Sequence, residues 1–272
     1  MEFEINKALV ARRFTNRAAA YDGVSSRQAT MAQALLGTTQ ARMASAPGRI
    51  LELGSGTGTL TSAIRRTWPA ARLVAIDLSQ AMLDLALSKA DCADVDFRCG
   101  DAESMIDELA GAGPFDLVIS SAAVQWFADG PAAIQGYCEL LRAGGLASIA
   151  TFGPDTFQEL SQAFRAAAAE IDRPPYQRVL TFPAAAAWRQ ALAPPRLDVD
   201  IIEERQTEWF DTVPDMLAAI RGVGAGNANR HYAPIGKRLY AAMTRAYRDR
   251  FGGAGPVPAT FHMQYIYCRR AD

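Results

Sequence analysis

The stretch that most constrains this chain is Ile50-Leu51-Glu52-Leu53-Gly54-Ser55-Gly56-Thr57-Gly58, an apolar run that ends in three glycines at alternate positions. A short apolar run bounded by glycine reads as a buried strand, and residues without a Cβ let the backbone turn sharply and approach a ligand closely. Further β-rich runs stand at 72–77, 95–99, 115–120 and 146–152, separated by segments of helical length such as 60–68 and 79–90. Strands spaced by helices predict βαβ units, hence an α/β, doubly wound, mainly parallel sheet. Ser79 is a candidate helix N-cap, and Asp129-Gly130-Pro131 opens another helix that Gly144-Gly145 should end. Helical patterns at 7–20 and 27–36 precede the sheet. After residue 152 come helical stretches at 156–171 and 184–192, a strand at 197–210, helices near Pro214 and at 235–251, and a last strand at 260–269.

The 272 residues, half of them hydrophobic, suffice for one large domain. With 28 Lys plus Arg against 29 Asp plus Glu the net charge is -1, so whole-chain nucleic-acid binding is not expected. No apolar run approaches the roughly 20 residues that span a bilayer. Residues 1–7 have neither the charged start nor the apolar middle of a signal peptide, and the expectation is a cytoplasmic protein with no membrane partner. Cys92, Cys99, Cys138 and Cys268 lack C-x-x-C spacing, and only His231 and His262 could join them, so buried thiols are expected rather than a metal site.

The glycine spacing is G-x-G-x-G, and the third glycine of a dinucleotide fingerprint would fall on Thr59. A lysine-containing phosphate loop is absent as well. Asp77, 19 residues after Gly58, ends the second strand where a carboxylate can accept ribose hydroxyls. A cofactor with a ribose and no phosphate suits both features. Gly100-Asp101-Ala102-Glu103 and the run from Ser120 to Trp126 follow at later strand ends, where ligands of open α/β sheets bind. Asp101 could accept from an adenine amino group and Trp126 could border the ligand. Their plain structural roles would be a helix cap and a core aromatic.

This series resembles the class I S-adenosylmethionine-dependent methyltransferases, with E-x-G-x-G-x-G, a ribose acid and a G-D-A segment in order. The resemblance implies a Rossmann-like, seven-stranded sheet with an antiparallel last strand. It also implies cofactor contacts from Glu52, Gly54, Ser55, Gly56, Gly58, Asp77, Leu78, Asp101, Ala102 and Ser120. More narrowly, Arg13-Phe14, Ala18-Ala19-Ala20-Tyr21-Asp22, Gln28, Gln125-Trp126, the run from Thr151 to Leu160, Phe182 and Gly224-Ala225-Gly226-Asn227 are similar to the malonyl-(acyl-carrier protein) O-methyltransferases of biotin synthesis. A longer stretch at 105–113, without the usual Leu-Pro after Glu103, departs from that pattern.

The implied domain is a single methyltransferase unit, 1–272. It comprises a helical lid (1–45), a cofactor-binding core (46–152), a helical substrate-side insert (153–196) and C-terminal strands and helices (197–272). Methylating a free carboxylate needs no general base, because the group is already ionised at neutral pH. Tyr21 and Trp126 are the expected pocket walls, with Arg17, Arg142 and Arg221 as candidates to meet the substrate carboxylate. Residues 221–250 carry Arg221, Arg230, Lys237, Arg238, Arg245, Arg248 and Arg250 against a single acid, Asp249. On a helical wheel Lys237, Arg238, Arg245 and Arg248 share an arc of roughly 100° opposite Leu239, Tyr240, Met243, Tyr247 and Phe251. This is either a solvated face or a docking face for an acidic acyl carrier protein, which Arg12, Arg13 and Arg17 could extend. The alternatives are a methyltransferase for small dicarboxylic acids such as aconitate, and a non-methylating cofactor-binding or assembly protein of the same fold.

Overall fold

A computed structural model describes residues 5–21, 23, 25–174, 177–193, 196–222 and 234–271. Met1 to Glu4, Asp22, Gly224 to Asn227, Arg230 and His231 lie outside them. The described chain runs α1 (Lys7–Tyr21), α2 (Ser26–Arg42), β1 (Arg49–Leu53), α3 (Thr59–Thr67), β2 (Arg72–Asp77), α4 (Gln80–Leu87) and β3 (Asp96–Cys99). It continues through α5 (Ile106–Ala110), β4 (Phe115–Ser121), α6 (Gly130–Glu139), β5 (Leu141–Phe152), α7 (Gln158–Glu170) and α8 (Ala185–Ala191). The last elements are β6 (Leu197–Phe210), α9 (Val213–Gly222), α10 (Lys237–Tyr247) and β7 (Val257–Arg270). The seven strands form one sheet in the order β3-β2-β1-β4-β5-β7-β6. All neighbours are parallel except β7, which runs antiparallel to both β5 and β6. The doubly wound, seven-stranded expectation is therefore met.

The central strands are buried on both faces, and their alternation divides the core in two. Ile50, Leu117, Ile119 and Ala150 face a layer with Leu35, Ile64, Phe164 and Met243 from α2, α3, α7 and α10. Leu51, Leu53, Val118 and Ile149 face Leu109, Ile134, Tyr137 and Trp188 from α5, α6 and α8. Period-two side-chain alternation sends neighbouring residues to opposite layers, which is why these strands read as continuous apolar runs. Strand order reverses between β1 and β4, and this opens a crevice at their carboxyl ends.

One boundary expectation is corrected, and one cap takes a different form. Gly144-Gly145 does not end α6, which stops at Glu139; both glycines lie inside β5, where the register against β4 shifts between Phe115 and Leu117. A glycine within a strand commonly marks such an irregularity. Ser79 occupies the N-cap of α4 but makes no side-chain cap; its hydroxyl instead meets Thr15 Oγ1 of α1 at 2.8 Å. Asp129 does cap α6, its Oδ1 accepting from the Ala132 amide at 3.1 Å, with Pro131 in the first turn. Asp129→Ala should therefore lower unfolding stability by about 1 kcal/mol in a denaturant titration.

Candidate active site at the carboxyl ends of the strands

β1 ends in a turn that its sequence makes possible. The amides of Gly54 and Ser55 both donate to Ile76 O, at 2.8 and 2.9 Å, so the chain leaves the sheet while still tied to β2. Gly54 has φ +76°, and a Cβ there would lie 2.1 Å from that of Ala123, leaving no room for a side chain. The Gly56 amide donates to Asp77 Oδ2 at 2.8 Å, and the Ser79 amide to Asp77 Oδ1 at 2.9 Å. Each carboxylate oxygen keeps a further lone pair for a ligand. Desolvation raises the Asp77 carboxyl above the usual aspartate range, while the amides of Ser79, Gly56 and Leu78 pull it back.

The crevice holds a first cavity lined by Gly54, Ser55, Gly56, Asp77, Leu78, Asp101 and Ala102, together with Ser121, Ala122 and Ala123 after β4. Seven of the ten expected cofactor-side residues are thus on its wall. The hydroxyls of Ser55 and Ser121 are buried there without a hydrogen-bond partner, which leaves hydrogen-bonding capacity on the wall for a polar ligand. Glu52, Gly58 and Ser120 stand behind the wall. Glu52 is fully buried and accepts from Thr61 Oγ1 at 2.7 Å. Gly58 lets α3 approach α4, since its Cβ would meet that of Ala86 at 2.8 Å. Ser120 Oγ donates to Leu53 O at 2.8 Å. These three shape the turn from within. Burial pushes the Glu52 carboxyl up from 4.5 to about 8, against the lowering effect of the Thr61 bond and with a further rise from Asp77.

The helix α1 lies across this cavity. Lys7 pairs with Asp101 at 2.5 Å and with Glu103, so the Asp101 oxygen expected to meet an adenine amino group already has a cation beside it. Phe14 packs edge-on against both Tyr21 and Trp126, with ring centroids 5.9 Å apart in each pair. Phe14, Tyr21, Gln28, Ala122 and Trp126 line the first cavity and also a second, of about 920 Å³, so they form the partition between the two.

Phe152, Phe157, Phe182 and Phe261 give the second cavity an aromatic wall, and Arg13, Arg17, Arg27, Arg178 and Arg221 bring cationic side chains to it. Two of its residues hold left-handed backbones without being glycine: Ala122 (φ 54°) and Phe157 (φ 57°). Such strain persists only where the surroundings enforce it. Gln125 Nε2 donates to Ala122 O at 2.6 Å, and the Phe157 amide donates to Thr260 O at 2.8 Å. The loop between β5 and α7 is further tied to β7 through His262, whose buried ring accepts from the Asp155 amide and donates to Glu203 at 2.9 Å.

Arg17 and Arg221 sit on the second cavity as expected, but Arg142 does not. It lies at the amino end of β5, paired with Asp116 at the opposite end of the sheet from both cavities. Lys7 and Arg27 were not anticipated as site residues. Arg27 is paired with Glu208 and stacked 3.7 Å from the Phe261 ring centroid. A lone lysine or arginine on an amphipathic helix carries no signal of its long-range partner. On α10, Lys237, Arg238 and Arg245 are exposed, as is Arg248 just past its end, and Arg245 is paired with Glu170 at 2.5 Å. Tyr240, expected on the apolar side, is instead 37% exposed and faces the second cavity.

A methyltransferase-domain family profile matches residues 50–145. Among curated relatives, the malonyl-(acyl-carrier protein) O-methyltransferase of Halalkalibacterium halodurans is 32% identical over 97% of this chain and 99% of its own. That of Bacillus anthracis is 33% identical over 97% of each chain, and that of Geobacter sulfurreducens 31% over 96% and 98%. The solved YcgJ protein of Bacillus subtilis shares the fold at TM-score 0.58 and 16% identity, over 88% of this chain and 99% of its own. The plantazolicin methyltransferase BpumL, solved in complex with a monoazolic desmethylPZN analog and SAH, does so at 0.55 and 13%, over 98% and 96%.

Because the folded form retains the Glu52 proton that the unfolded chain releases, stability should fall as pH rises from about 4.5 toward 8. Glu52→Gln keeps the acceptor for Thr61 without the charge. It should remove up to ~1.4 kcal/mol of slope per pH unit from that window, as read from denaturant midpoints across pH.

Proposed function

Since this chain belongs to the malonyl-(acyl-carrier protein) O-methyltransferase family, we propose that it converts the free carboxylate of malonyl-acyl carrier protein to its methyl ester. S-adenosylmethionine is the methyl donor and S-adenosylhomocysteine the product. The observation that carries this reading is the pair of cavities meeting at one aromatic partition, the first lined by the glycine turn and Asp77 that suit the cofactor and the second large enough for an acyl thioester and its arm. In biotin synthesis the ester would disguise the malonyl group for elongation toward pimelate. The setting would be cytoplasmic, and no helix among the described residues is long and apolar enough to cross a membrane.

Within the single domain, segment 1–45 acts as a lid, 46–152 as the cofactor core, 153–196 as a substrate-side insert, and 197–272 completes the sheet. Gly54, Ser55, Gly56, Asp77, Leu78, Asp101 and Ala102 would hold the cofactor, with Asp77 on its ribose. When bound, S-adenosylmethionine supplies an electrophilic methyl group on a positively charged sulfur. The chain's own part is to bring the carboxylate to the partition, hold it there and keep water away. Phe14, Tyr21 and Trp126 supply apolar walls for that exclusion. A carboxylate ionised at neutral pH asks no residue to remove a proton, so orientation carries most of the catalytic burden. Arg17 and Arg221 add positive potential along the second cavity, which favours an anionic substrate.

An acidic carrier protein would dock where the cavity wall meets α10. Ile235 and Tyr240 line the cavity, and Lys237 and Arg238 are exposed between them in sequence. Arg248 lies at the far end of the helix, and Arg245 is already paired, so the amino-terminal end of the basic face supports docking best.

Mass spectrometry of malonyl-carrier protein incubated with enzyme and S-adenosylmethionine should show the gain of one methyl group, with acetyl-carrier protein unchanged. Asp77→Ala should weaken cofactor affinity by tenfold or more in calorimetric titration, on the order of the loss expected for a charge-assisted hydrogen bond. Reversing charge with Lys237→Glu and Arg238→Glu should cut kcat/KM for malonyl-carrier protein by roughly tenfold and flatten its salt dependence. Malonyl-coenzyme A turnover should stay nearly constant.

A further inference from the structure

The partition between the cavities contains two polar atoms with nothing to bind. Trp126 Nε1 and Gln28 Oε1 are buried without a hydrogen-bond partner, and both residues line both cavities. A buried, unsatisfied polar group is costly, and at the junction of two ligand cavities its natural complement is the ligand. Indole N–H only donates. The glutamine amide carries donor and acceptor at one end, exchanged by a half-turn.

Most of the charged groups on the second cavity are held by other groups or stand away from the partition. Arg27 is held by Glu208, Gln206 and the Phe261 ring. Arg17 and Arg178 each already engage another group of the chain, and so does Arg13, although its buried Nη1 has no hydrogen-bond partner; Arg13 lines the second cavity alone and is not part of the partition. Arg221 is exposed, and Arg142 is at the other end of the sheet. Gln125 spends its amide on Ala122 O and Thr151.

The geometry points to Gln28 and Trp126 as the seat of the reacting carboxylate, each donating one neutral N–H to it. This rests on the proposed carboxyl methylation and names the recognition at that same site. A neutral seat has a chemical advantage over an arginine. Transfer removes the carboxylate's charge, so an ion pair would stabilise the starting state more than the transition state, where that charge is partly lost, whereas neutral donors give up less. The strained turn at Ala122, fixed by Gln125, holds the Trp126 segment in place as part of the same arrangement.

The test is steady-state methylation of malonyl-carrier protein by Gln28→Ala, Gln28→Glu and Trp126→Phe enzymes, with S-adenosylhomocysteine affinity measured alongside by calorimetry. Trp126→Phe keeps the ring and deletes only the donor. Each variant should lose roughly tenfold to a hundredfold in kcat/KM while the S-adenosylhomocysteine affinity stays within about threefold. Gln28→Glu should be the weakest at neutral pH, through like-charge repulsion, and should regain activity relative to wild type as acid protonates the introduced carboxyl into a donor. Gln28→Ala and Trp126→Phe enzymes that retain kcat/KM within about twofold would overturn the seat. So would a parallel collapse of S-adenosylhomocysteine affinity, which would assign both groups to the cofactor. If wild-type enzyme adds no methyl to malonyl-carrier protein, the substrate assignment falls and the seat with it; a wild-type gain with unaffected variants removes the seat alone.

Discussion

One carbonyl anchors the working end of this protein. Ile76 O accepts the amides of both Gly54 and Ser55, so the chain leaving β1 is pinned to β2 at the point where it must turn away from the sheet. The pinning brings Asp77, the next residue of β2, against the Gly56 amide, and brings Gly54 so close to Ala123 that no side chain fits between them. The cofactor crevice, the approach of the β4 carboxyl end and the placement of the partition all follow from that shared acceptor.

Two carboxyl groups near this turn are kept from competing. Glu52 is buried behind the wall with a carboxyl pushed up to about 8, so near neutrality it is mostly protonated and adds little negative charge beside Asp77, the carboxyl that faces the crevice. Had both been ionised, their mutual repulsion would have fallen on the loop that has to stay fixed. The acidic residue of the glycine motif therefore serves the loop through Thr61 and Asp77, one layer removed from the cavity surface.

The sheet was legible because its evidence is local. Continuous apolar runs, turn glycines and Asp77 each sit within a few residues of one another, and β2 and β6 have the boundaries their sequence implies. Gly144 and Gly145 misled because glycine ends helices and also relaxes strand register, and only the pairing partner β4 decides between them. The candidate site divides in the same way. Residues on the strand-end loops were recognisable from spacing, whereas the wall contributed by α1 and α2 depends on how those helices cross the sheet. Lys7 meeting Asp101, Arg27 meeting Phe261 and Arg142 meeting Asp116 are contacts between distant segments, for which a single sequence holds no local signature.

The partition also joins the two binding events in a way that neither cavity would alone. Phe14, Tyr21, Gln28, Ala122 and Trp126 belong to both walls, and α1, which contributes two of them, is itself fastened to the cofactor side through Lys7. A ligand that orders these five residues from one side has ordered them for the other. By reciprocity, whatever affinity the occupied first cavity lends to the second must be returned in equal measure. With so thin a wall between them, the two cavities share α1 and its Phe14 and Tyr21, so a change made to either ring is felt on both sides.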